Sequence, residues 1–224
     1  RLKAMGGINR LRAVMANDLA QAVQRPTRGP AGQAIPAFVG SSDGCAFVHC
    51  GAGGPRGSDS GSLPSRVPMK LQLPFIQLPV TFDATALEAE IDALGERPWK
   101  PHPQGFEGNS MLPLVAADGD PDNESFAGAM RPTPELLRCA YLTQVIASLG
   151  ATVGRTRLMR LSGHAEVTRH ADQGYYWAER VRVHIPVVTQ PTVRFECDGA
   201  AINMAGRECW IFRTWRQHPV LNGS

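Results

Sequence analysis

Arg180-Val181-Arg182-Val183-His184-Ile185-Pro186 is the stretch whose reading decides the fold. Successive residues of an extended strand leave from opposite faces. Val181, Val183 and Ile185 therefore form one apolar face, and Arg180, Arg182 and His184 form the other. Strict alternation has the period of a strand, not of a helix. More short β-type runs surround it: Thr156 to Leu161, Val193 to Cys197, Ala201 to Met204 and Cys209 to Phe212. Asp198-Gly199 is a hairpin signal. Ahead of them, Leu71 to Val80 alternates around two prolines and reads as an edge strand. Asp83 is the N-cap of a helix through Leu87, Ile91 and Leu94, stopped by Gly95. Arg97 to Gly119 reads as loop and short strand. Thr133 or Pro134 begins a second helix, through Leu136, Ala140, Tyr141, Val145 and Leu149 to Gly150. The expected class is mainly β with flanking helices, a double-sheet jelly roll whose mouth hosts a ligand.

Chemistry gathers on either side of the opening strand. Upstream lies Arg169-His170-Ala171-Asp172, and 48 residues after His170 comes His218, within Arg213-Thr214-Trp215-Arg216-Gln217-His218-Pro219. His170 and Asp172 are two apart, so on an extended chain both side chains share a face. Two histidines and one carboxylate on one face of a metal make the facial triad of non-haem Fe(II) oxygenases, which leaves positions open for reactants. An H-x-D with a distant His also arises by chance, as an ordinary strand end with a satisfied imidazole. Arg180, Arg182 and His184 suit a surface that meets carboxylates, because a guanidinium binds them bidentately. A solvated outer face has the same alternation; proximity to His170 and Asp172 argues for the interior. Tyr175-Tyr176-Trp177 can wall a pocket there. His164 and Glu166 also lie near the site; His164, in an expected turn, reads as a structural or surface residue.

Composition excludes several classes. Residues 1–68 hold eight Lys/Arg and three Asp/Glu, leaving 15 basic and 17 acidic residues in the remainder. A weakly acidic domain behind a basic lead is not the footprint of a nucleic-acid binder. No apolar run is long enough to span a bilayer, and the N-terminus lacks the apolar core of a secretory signal. Five cysteines, an odd number without framework spacing, point to a reducing, cytoplasmic setting. Between Pro26 and Pro68 the chain is rich in Gly, Pro and Ser, and disorder is expected. Leu11 to Val23 has weak helical character. Cys45, His49 and Cys50 have no partner cluster and read as incidental, not as a zinc site. Two segments follow: 1–68, a disordered or non-native extension, and 69–224, the domain proper, with Met69 as its natural start.

Arg157-Leu158-Met159-Arg160-Leu161, His170-x-Asp172, Tyr175-Tyr176-Trp177, Arg180 to Pro186, Met204-Ala205-Gly206 and Trp210-Ile211-Phe212 through His218 to Asn222 resemble the bacterial aspartyl/asparaginyl β-hydroxylase family. The resemblance runs from about Met69 to Ser224 and is most specific from Arg155 onward. It implies a double-stranded β-helix, cupin-like, and an Fe(II)- and 2-oxoglutarate-dependent dioxygenase using O2. It places His170, Asp172 and His218 at the iron ligands and Arg182 and His184 beside co-substrate and substrate. Arg180 and Trp177 are the accompanying candidates for substrate contact. Such enzymes couple decarboxylation of 2-oxoglutarate to succinate and CO2 with hydroxylation of an unactivated C–H bond.

This sequence departs from the family pattern in three ways. Arg213 stands where relatives carry an acidic residue. The 2-oxoglutarate-anchoring arginine that follows the distal histidine has no counterpart before Ser224. Nor has the closing strand that would carry it, so the domain reads as C-terminally truncated and lacking its last strand. The expected activity is hydroxylation of an amino-acid-like or peptidyl Asp/Asn-type substrate, with no nucleic-acid or membrane partner. Two alternatives stand beside it: a catalytically silent binding or regulatory protein on the same fold, and a cupin-type metalloenzyme that does not use 2-oxoglutarate. Fold alone does not choose between them.

Overall fold

Two antiparallel sheets face each other across the residues that the computed structural model describes, 10–17, 71–178 and 180–223. The elements run β1 (Arg10–Asn17), β2 (Phe75–Gln77), α1 (Ala84–Leu94), β3 (Lys100–Pro101), β4 (Asn109–Ala117), β5 (Met130–Pro132), α2 (Pro134–Leu137) and α3 (Ala140–Ser148). They continue with β6 (Thr156–Ser162), β7 (Glu166–His170), α4 (Tyr175–Ala178), β8 (Arg182–Val188), β9 (Val193–Cys197), β10 (Ala200–Ile202), β11 (Trp210–Phe212) and β12 (His218–Asn222).

From β6 onward, apart from the β9–β10 hairpin, the chain alternates between sheets, as a jelly roll requires. β6, β8 and β11 join the larger sheet, ordered β2-β11-β8-β1-β6-β4-β3 with β5 on β4; β7, β9, β10 and β12 form the smaller, ordered β10-β9-β12-β7. The fold is mainly β with flanking helices, as expected, and its barrel is not closed.

The alternation of β8 sorts its residues between two cores. Val183 and Ile185 join Leu87, Ile91, Leu142 and Leu158, where α1 and α3 cover the outer face of the large sheet. Arg182 and His184 turn to the opposite face, where Phe195 of β9 lies against the His184 ring at 5.7 Å. A second apolar cluster between the sheets includes Leu161, Phe195, Met204 and Phe212. Burying a leucine such as Leu158 contributes about 1.5–3 kcal/mol, which dwarfs any local strand preference.

The helix signals are read correctly at α1. Asp83 Oδ1 accepts from the Thr85 and Ala86 amides at 3.0 and 3.1 Å, and Gly95 ends the helix at φ +72°. The second helix is interrupted at Arg138 and Cys139 into α2 and α3. Cys139 provides no side-chain cap, and the carboxylate of Glu90 on α1 takes the Tyr141 and Leu142 amides instead, both at 2.8 Å. Asp198 and Gly199 form the expected hairpin turn between β9 and β10, with φ of +50° and +78°.

Three expectations need correction. Arg97 to Gly119 contains β4, nine residues long and almost wholly buried. With both faces covered there is no alternation to read, and Pro113 sits where the pairing with β6 shifts register, a position that tolerates proline. Arg10–Asn17 is a strand, not part of a helix or a disordered lead: it pairs antiparallel with both β6 and β8. The rest of residues 1–68, Cys45, His49 and Cys50 included, lies outside the described residues. Finally, His218–Asn222, which carries no strand signal of its own, is the strand β12. No described helix is long and apolar enough to cross a membrane. Cys139, Cys197 and Cys209 are buried and unpaired.

Candidate metal centre

β7 and β12 are neighbours in the small sheet, and their register sets His170 directly opposite His218. The two rings stand 4.2 Å apart, centroid to centroid. Asp172 lies just past the end of β7, where its amide donates to the Thr214 carbonyl at 2.7 Å in the loop leading to β12. Backbone pairing thus brings together two segments 48 residues apart. One donor atom from each of His170, Asp172 and His218 lies within 4.8 Å of the others.

The imidazoles are oriented as metal ligands usually are, with one nitrogen bound to a backbone acceptor and the other turned inward. His170 Nδ1 meets the Thr168 carbonyl at 2.8 Å, and His218 Nδ1 meets the Arg216 carbonyl at 2.7 Å. His218 Nε2 is buried without a partner. Burial above all pushes His218 down to about 4, with His170 and Arg182 adding to the effect. The ring is therefore neutral, the form that ligates a metal. Asp172 Oδ2 approaches Arg182 Nη2 at 2.9 Å but makes no directed hydrogen bond, so its lone pairs remain open. The donor set suits a metal of imidazole-and-carboxylate preference.

A cavity of about 480 Å³ opens onto these three residues. Arg182 and His184 line it from β8, and Trp177 lines it from α4. The Arg182 guanidinium lies 4.7 Å from the Trp177 ring. His184 is 1% exposed, between Phe195 and Phe212, and neither ring nitrogen has a hydrogen-bond partner. Burial first, then Arg182 and His218, hold it well below the usual imidazole range. Arg180 does not reach the cavity. It precedes β8, where its Nη1 donates to the Tyr176 carbonyl at 3.0 Å and its guanidinium lies over the Tyr176 ring. Tyr176, itself not a lining residue, packs in turn on Phe126. Arg213 is likewise not a lining residue; it pairs with Asp198 at 3.0 Å and with the Gln72 carbonyl, tying β11 to the start of the domain. His164 is exposed, as expected, and so is Glu166, the first residue of β7.

Several lining residues carried no motif. His102 is 8% exposed and pushed down to about 4, by burial first and then by Arg157 and Arg182. Phe126, Glu124 and Arg155 reach the cavity from loops. Arg157 and Met159 come from β6, within the Arg157–Leu161 stretch that carries the family resemblance; Leu158 faces the helices, so its neighbours must face inward.

Residues 114–224 match the family model described as aspartyl/asparaginyl beta-hydroxylase. That span starts in β4 and contains the triad, Trp177, Arg182 and His184; it is shorter than the resemblance from about Met69. Residues 1–72 match a second model, type II secretion system (T2SS), protein J. No curated protein matches the chain.

Proposed function

From the premise that residues 114–224 belong to the aspartyl/asparaginyl beta-hydroxylase family, we propose that the chain is an Fe(II)- and 2-oxoglutarate-dependent dioxygenase acting on an amino-acid-like or peptidyl Asp/Asn-type substrate. The observation that carries this reading is the triad: two imidazoles with outer nitrogens held by carbonyls, and a carboxylate within 4.8 Å. His170 and His218 would hold the metal through Nε2, and Asp172 through a carboxylate oxygen. Bound there, Fe(II) supplies open positions where a 2-oxo acid and dioxygen react, giving succinate, CO2 and a hydroxylated C–H bond.

The chain's own residues do the rest. Arg182 stands beside the metal position and meets the carboxylate of an incoming acid through charge-assisted bonds. His184, neutral and dry, offers a ring N–H to an oxygen in the same space. Phe195, Phe212 and Trp177 surround these groups and exclude water, which strengthens each polar contact.

The test is an anaerobic titration of Fe(II), then 2-oxoglutarate, read by the visible metal-to-ligand charge-transfer band. The band should form with the wild-type chain and vanish in His170→Ala and His218→Ala. Metal binding without the band would favour a cupin-type enzyme that uses no 2-oxoglutarate. No metal binding at all would sink the enzyme reading and leave a binding module.

A further inference from the structure

The arginines around this cavity differ in one respect. Arg160 has Glu96, with both carboxylate oxygens at 2.7–2.9 Å. Arg155 has Glu124 at 3.1 Å, and Arg182 has Asp172 at 2.9 Å. Arg157, on β6 between Arg155 and Arg160, has no carboxylate among the described residues. Among the described residues its one side-chain hydrogen bond is from Nη1 to Met111 Sδ at 3.4 Å, a weak acceptor. Its Nε is buried with no partner. The side chain is only 9% exposed, and its exposed part lines the cavity that holds the triad. Burial first, then the cations of Arg182 and Arg155, push its pKa down to about 9, which still leaves it charged at neutral pH.

A buried guanidinium without an anion is destabilising, because its desolvation goes uncompensated. A purely structural arginine removes that cost with a carboxylate or with carbonyls, as Arg160 does. The acids nearest Arg157 are committed elsewhere, to Arg155 and Arg182. What remains is the open cavity.

We infer that Arg157 is the anchor for a free carboxylate of the substrate, on the β6 side of the cavity and separate from the acid met by Arg182. The substrate class is then a small carboxylic acid with that group unblocked, the free α-amino acids among them. This deepens the dioxygenase reading and rests on it: an asparaginyl side chain within a protein offers no carboxylate and would leave Arg157 unmet.

The test uses the full chain loaded with Ni(II) and 2-oxoglutarate. Calorimetric titration compares the free L-amino acids, aspartate and asparagine among them, with the corresponding amino-acid amides, in which the carboxylate is replaced by a carboxamide. The best free acid should bind about tenfold or more tightly than its amide, the effect of losing hydrogen bonds to a charged group. Arg157→Met should abolish that preference, and Arg157→Lys should restore part of it. Thermal melts of the apo chains give an independent readout: Arg157→Met should melt higher than wild type, since it removes an uncompensated cation. A preference that survives in Arg157→Met, equal binding of acid and amide, or binding of neither by the wild type would overturn the proposal. So would a lower melting point, which marks a structural arginine. Failure of the wild type to take up Ni(II) would instead strike the metal-centre reading, and the melts would still decide whether Arg157 lacks its anion.

Discussion

Asp172 Oδ2 stands 2.9 Å from Arg182 Nη2, so the carboxylate that faces the two imidazoles also touches the first residue of β8. The pair sets the carboxylate's position before any ligand arrives, and it gives Arg182 a different standing from Arg180. Arg182→Ala removes both the partner of Asp172 and the cation offered to an incoming acid. 2-Oxoglutarate affinity should fall by about 10–100-fold, the range for a hydrogen bond to a charged group. Arg180→Ala, which loosens the Tyr176 contact outside the cavity, should leave that affinity unchanged. Equal losses in the two variants, measured by titration of the metal-loaded protein, would refute the distinction.

His218 is 2% exposed and sits in strand register with His170, so its removal strikes the metal and not the sheet. In His218→Ala, Fe(II) or Co(II) affinity should drop by more than about 100-fold, beyond the loss typical of altering a group that merely orients a ligand. The far-UV circular dichroism spectrum should be unchanged. Metal affinity within a factor of a few of wild type would dismiss the triad.

Acid should weaken the fold through its buried imidazoles. His102 is held down to about 4 by burial and by Arg157 and Arg182, against about 6.5 in an unfolded chain. Between these values the unfolded chain binds the proton and the folded chain does not, so stability is complete above about pH 6.5 and is lost as pH falls toward 4. The full effect is on the order of 3 kcal/mol for this residue. Urea midpoints should decline between pH 7 and pH 4.5, and His102→Phe should flatten the decline. An identical pH slope in that variant would show that His102 is already protonated in the native state.

Glu90 supplies a cap across space. Both of its carboxylate oxygens take amides at the start of α3, which has no cap of its own. Glu90→Ala should cost about 1–2 kcal/mol, as the loss of a helix cap does. Chemical denaturation would show it as a lower midpoint with an unchanged slope. Asp83→Ala, a local cap, should cost about 1 kcal/mol by the same measure.

The amino-acid sequence by itself determined the features carried by local spacing. Alternation over Val181 to Ile185 fixed β8 and the inward face of Arg182 and His184, because side-chain direction in a strand has period two. Asp83 and Gly95 fixed the limits of α1, and Asp198-Gly199 fixed the β9–β10 turn, because caps and positive φ depend on single residues. The residue types of the triad were also legible. Only the tertiary structure decided what depends on pairing between distant segments. β12 is a strand because β7 and β9 lie on either side of it, and that placement is what sets His218 against His170. β4 is buried on both faces and shows no period; α3 takes its cap from Glu90 on another helix. The Arg10–Asn17 strand is specified by its neighbours β6 and β8, not by its own spacing. Arg157 stands out for the same reason: whether a buried cation has an anion depends on where every other carboxylate ends up.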